Sequence, residues 1–64
     1  MSKRQTAVLA ALQAGSLFGI TTSDIGTSIG APEASVRRTI QELIAQGYNI
    51  SYAANGLYYY RAGY

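Results

Sequence analysis

Sixty-four residues make one domain, read as a single unit over 1–64, near the lower size at which a chain folds without metals or cross-links. The chain has no cysteine or histidine and only three carboxylates, of which Glu33 and Glu42 lie nine residues apart on one proposed helix, so no enzyme activity, metal, cofactor or small-molecule ligand is expected. A formal charge of +2 and a pI near 9.2 lean toward an anionic partner, and no run approaches the roughly 18 apolar residues of a membrane span.

The start, MSKRQT, is not followed by an unbroken apolar signal core, so a cytoplasmic location is expected. Ser2 with Gln5 three residues later fits a capping box, and Val8, Leu9, Ala11 and Leu12 form an apolar stripe at helical spacing. These features predict a first helix over about 3–14, stopped by Gly15. Lys3 and Arg4 occupy its first turn, where the helix dipole disfavours cations, which leaves them as either a solvated terminus or phosphate contacts.

Leu17 and Phe18 between Gly15 and Gly19 suit a short edge strand near 18–20 or a buried connection, with Phe18 in the core. Thr21 is a good N-cap answered by Asp24, and Ile20 with Ile25 forms a hydrophobic staple, so a second helix is expected over 22–29. Gly30 can take the left-handed conformation that ends it, and Pro32 suits the first position of a third helix over about 32–46. Ala31 is an indifferent N-cap, which allows that start to shift by one or two residues.

At 100° per residue, Val36, Ile40 and Leu43 share one stripe with Ile44 at its edge, and these are the expected core positions. Ala34, Arg38, Gln41 and Ala45 fall on the opposite side, flanked by Arg37 on one edge and by Ser35 and Glu42 on the other. A face that is small in the middle and carries long polar side chains can approach a groove closely. Glu33 with Arg37 and Arg38 with Glu42 are both i,i+4 opposite-charge pairs, so a salt-bridged, solvated surface is the competing reading.

Gly47 ends the third helix, and β-prone residues then lead to Asn55-Gly56, a hairpin tip between strands over about 48–53 and 57–61. Two registers are open. A two-residue loop pairs Ala54 with Leu57 and groups Ile50, Tyr52, Leu57, Tyr59 and Arg61 on one face. A three-residue loop closes Ala53 on Leu57, turning Ile50, Tyr52, Tyr58 and Tyr60 inward and Ser51, Leu57, Tyr59 and Arg61 outward. The longer loop is preferred, because it alone keeps Arg61 out of the core.

This order, with TTSDIGTSIG as second helix, SVRRTIQELIAQGYNI as third helix and first strand, and NGLYYYR as the return, resembles a winged helix-turn-helix domain. It is similar to the N-terminal domain of the biotin repressor and related small bacterial or phage winged-helix regulators. Two features depart from that pattern: Ala31-Pro32-Glu33 stands where a small polar residue usually ends the turn, and the tip of the hairpin carries no lysine or arginine.

The resemblance implies an α+β fold and sequence-specific binding of double-stranded DNA, as a transcriptional regulator or an accessory factor that positions other proteins on DNA. The third helix would lie in the major groove, with Arg38 reaching guanine and Gln41 adenine, and with Ala34, Ser35 and Arg37 around them. Lys3, Arg4 and Arg61 would hold phosphates, and Tyr59 and Asn55 would donate from the hairpin. So small a footprint calls for a homodimer or cooperative assembly on DNA. The alternative is a protein-interaction or dimerisation module whose apolar contact patch is Leu57, Tyr59 and Tyr64.

Overall fold

The computed structural model describes residues 1–15 and 18–61. Three helices, α1 (Lys3–Ala14), α2 (Thr22–Ile29) and α3 (Glu33–Ala45), are followed by an antiparallel hairpin of β1 (Ile50–Tyr52) and β2 (Tyr58–Tyr60). This is an α+β layout, compatible with a winged helix. No helix among the described residues is long and apolar enough to cross a membrane.

Local hydrogen bonds set most of the helix ends. In the capping box of α1, Gln5 N–H donates to Ser2 Oγ at 3.1 Å and Ser2 N–H donates to Gln5 Oε1 at 3.1 Å. At α2 the Asp24 N–H donates to Thr21 Oγ1 at 3.0 Å, and Gly30 (φ 71°) closes the helix in the left-handed region. The end of α3 is a Schellman motif: Gly47 (φ 102°) donates to the Ile44 carbonyl at 3.0 Å and Tyr48 to the Leu43 carbonyl at 3.2 Å. At its start, Pro32 is the N-cap (φ −64°, ψ 150°) rather than the first helical residue, and it offers no side-chain cap. An extended ψ at Pro32 turns the chain out of the α2–α3 link, so the helix begins one residue later than expected.

The core joins Val8 and Leu12 of α1, Ile25 of α2, Val36, Ile40 and Leu43 of α3 and Tyr58 of β2. Thr39, one turn from Leu43, is also buried, and its hydroxyl donates to the Ser35 carbonyl at 2.8 Å, which satisfies the hydroxyl within the helix. Ile44 is 39% exposed, so the edge of the predicted stripe lies outside the core.

The hairpin takes the longer loop. Ile50 pairs with Tyr60, Ser51 with Tyr59 and Tyr52 with Tyr58, and the Ala53 N–H donates to the Leu57 carbonyl at 2.9 Å. Gly56 (φ 86°) occupies the left-handed bulge position that this three-residue loop requires. Both strands are shorter than predicted, because pairing stops where the chain enters the loop and where Arg61 reaches back only to the Asn49 carbonyl. Ile20 pairs with Tyr58 on the free edge of β2, by hydrogen bonds of 3.0 and 2.8 Å. The strand expected near 18–20 is therefore this single-residue bridge, and β2 lies between it and β1.

Two aromatic placements differ from expectation. Phe18 is 83% exposed. Its N–H and that of Gly19 turn back onto the Gly15 carbonyl, and Ile20, held by β2, takes the place against the core that Phe18 was expected to fill. Tyr52 shares the inward face with Tyr58, at 4.7 Å between ring centroids, yet is 63% exposed. It is the last residue of β1, next to the loop, and is not among the hydrophobics packed against the core.

Candidate functional site

The outward face of α3 follows from what its other sides touch. Val36, Thr39, Ile40 and Leu43 are buried, and a helix that buries that arc must turn Ala34, Arg38, Gln41 and Ala45 to solvent. All four are exposed, as is Arg37 beside them. Ser35 is half-buried, because it lies on the same edge as buried Thr39. The structure thus brings together Ala34, Arg37, Arg38 and Gln41 and sets Ser35 at the margin.

The two arginines stand in different surroundings. Arg37 Nη2 lies 3.5 Å from Glu33 Oε1, and that carboxylate oxygen also accepts from Thr22 Oγ1 at 3.0 Å. Glu33 precedes its cation by four residues, the orientation in which an i,i+4 pair is favoured. Arg38 precedes Glu42, the less favoured orientation, and no salt bridge forms between them. Instead Glu42 Oε1 accepts from Gln5 Nε2 of α1 at 2.9 Å. Among the described residues, Arg38 has no carboxylate partner.

Other predicted residues lie off this face. Lys3 and Arg4 line a depression of about 290 Å³ with Ala7, Ile29, Gly30 and Ala31, beside the turn that leads into α3. Asn55 is exposed at the hairpin tip, its Oδ1 accepting from the Leu57 N–H at 3.1 Å, which leaves its amide donors to solvent. Tyr59 is half-buried against the Gly19 backbone, where a Cβ at residue 19 would lie 2.8 Å from its ring. Arg61 is exposed at the end of β2. None of Asn55, Tyr59 and Arg61 forms a side-chain hydrogen bond or salt bridge with α3 among the described residues. Tyr64, assigned to the alternative contact patch, lies outside the described residues; Leu57 and Tyr59 of that patch are half-buried.

The sequence reading missed Gln5 and Thr22. Gln5 already had a role in the capping box, and nothing local shows that its amide also meets a helix 37 residues away. Thr22 reads as an ordinary first-turn residue until α3 folds against it. A further depression of about 510 Å³, lined by Ser23, Gly26, Thr27, Gly30, Ala31, Pro32 and Glu33, is open and carries one carboxylate and no cation. Among the described residues no three acidic, cysteine or histidine side chains gather into a group that could hold a metal. No family model, curated protein or solved structure matches this chain.

Proposed function

We propose that the protein is a winged helix-turn-helix domain that binds double-stranded DNA through α3, as a transcriptional regulator or an accessory factor on DNA. The observation that carries this reading is the outward face of α3, where Arg38 has no carboxylate partner among the described residues and is framed by Ala34, Gln41 and Arg37. A small residue one turn before the arginine lets the backbone approach a groove. The guanidinium can then donate to guanine O6 and N7 together, and Gln41 to adenine. Arg37 must leave Glu33 before it can serve a phosphate or a base. Lys3, Arg4 and Arg61 supply backbone contacts, with Asn55 and Tyr59 donating from the hairpin. Binding as a homodimer, or cooperatively at repeated half-sites, gives the footprint that one small domain lacks.

A second reading, a protein-binding module, is favoured by one observation: Phe18 is a large apolar side chain 83% exposed beside the hairpin-packed Gly19. Titration of labelled random-sequence duplex at two salt concentrations separates the two. Phosphate binding weakens by about 0.9 log unit per contacted phosphate for each log unit of salt. Arg38→Ala should cost about 1–3 kcal/mol and relax base preference at one position, whereas Lys3→Ala should weaken all sequences alike. Absence of duplex binding by the unaltered protein at low salt would sink the DNA reading.

A further inference from the structure

Both carboxylates of α3 are engaged by a neutral donor from a neighbouring helix, Glu33 by Thr22 of α2 and Glu42 by Gln5 of α1. The consequences differ. Glu33 keeps its arginine while accepting from Thr22, since Arg37 remains 3.5 Å away. Glu42 is drawn sideways toward α1 and pairs with no arginine among the described residues.

Gln5 is well suited to that task. Its Oε1 is already fixed by the Ser2 N–H, and its own N–H is fixed by Ser2 Oγ, both at 3.1 Å. The amide group is therefore oriented before it meets Glu42, and the Nε2 bond of 2.9 Å to a carboxylate restricts little further rotamer freedom. The competing partner for Glu42 is Arg38, which must order a long, exposed side chain in the weaker i,i+4 orientation. On the helix, positions 38 and 42 are four residues apart and so nearly aligned. A Glu42 released by Gln5 would stand over the same face as Arg38.

Resting on the DNA reading above, we propose that Gln5 is a positioning residue for the duplex-binding face. By holding Glu42 against α1 it keeps a carboxylate away from Arg38 and from approaching phosphates. Gln5 touches no nucleic acid in this role. It acts through Glu42.

The test uses the full chain and a labelled random-sequence duplex at low salt, followed by fluorescence anisotropy, with Gln5→Ala, Glu42→Gln and the double variant. Gln5→Ala should bind about twofold more weakly, the ratio that an i,i+4 pair supports. Glu42→Gln should bind at least as tightly as the unaltered protein. The double variant should match Glu42→Gln, since no carboxylate is left to restrain. Equal losses from Gln5→Ala in both backgrounds would reduce Gln5 to a helix cap and overturn the proposal.

Gln5→Glu keeps the capping acceptor and loses the donor, so it covers the case in which Gln5→Ala fails to fold. Its binding loss should shrink when combined with Glu42→Gln; a loss unchanged by Glu42→Gln counts against the proposal. A readout without DNA is the NMR signal of the Arg38 Nε–H. It should move in Gln5→Ala and stay in place when the same change is made with Glu42→Gln; an Arg38 signal unmoved by Gln5→Ala would overturn the proposal. If Arg38 responds as expected while the unaltered protein binds no duplex, the contact stands and the DNA reading falls.

Discussion

Gly26 of α2 lies against the carbonyl of Ala31 so closely that a Cβ at residue 26 would sit 2.6 Å from that oxygen. The same two residues are joined by the Ala31 N–H to Gly26 carbonyl bond of 2.9 Å, so the turn between α2 and α3 is held from both sides. In an open helix Gly→Ala gains about 1 kcal/mol. Here the obstacle is backbone, which cannot rotate away, and overpacking costs about 1–3 kcal/mol. Gly26→Ala should lose up to about 2 kcal/mol net in urea unfolding and lower the melting temperature. A more stable Gly26→Ala would mean that the turn, and with it the start of α3, gives way readily.

Gly19 and Gly30 both have positive φ, at 81° and 71°, but their surroundings differ. Nothing lies within 4 Å of a Cβ at residue 30, whereas at residue 19 it would meet the Tyr59 ring at 2.8 Å and Leu57 Cβ at 3.0 Å. Gly30→Ala should therefore cost about 1 kcal/mol, the conformational penalty alone. Gly19→Ala should cost about 2–4 kcal/mol, because the hairpin must also move. Urea midpoints of the two variants compared side by side check the difference, and equal midpoints would show that Tyr59 is free to shift.

The tyrosines of the hairpin should separate just as sharply. Tyr58 is 8% exposed and packs with Leu12, Ile25 and Ile40 in one cluster, so Tyr58→Ala should cost about 3–4 kcal/mol, a large share of the stability of a domain this size. Tyr52→Ala should lose only the aromatic pair, about 0.5–1.5 kcal/mol. Phe18→Ser should stay within about 0.5 kcal/mol of the unaltered protein. Thermal melts by circular dichroism order the three.

These contrasts also mark how far the sequence could be read. The capping box at Ser2 and Gln5, the Thr21 cap and the glycines at 30 and 47 act within a few residues, so these residue types alone state where those helix ends fall. The hairpin register was legible too, because placing Arg61 in the core is costly enough to exclude one of two pairings. Phe18 was misplaced because its position depends on which neighbour the distant β2 edge selects, and that edge selected Ile20. The outward set on α3 was legible from helical periodicity. Which arginine keeps its carboxylate on α3 was not: spacing offered both a partner, and the outcome rests on pair orientation together with a hydrogen bond from α1.

Glu33 offers a prediction in which stability and binding move in opposite directions. Its carboxylate sits in the first turn of α3, where a negative charge is favoured by about 0.3–1 kcal/mol, and it adds an exposed pair with Arg37 of about 0.2–0.5 kcal/mol. Glu33→Gln loses both, while its amide oxygen can still accept from Thr22, so stability should fall by about 1 kcal/mol. The same change frees Arg37 and removes a negative charge beside the proposed duplex face. Affinity for random duplex should then rise at low salt, and the slope of log affinity against log salt should steepen by about 0.9 if Arg37 gains one phosphate. Glu33→Gln followed by Arg37→Ala should return the slope to its original value. Binding that weakens together with stability in Glu33→Gln would show that Glu33 presents Arg37 to the ligand instead of restraining it.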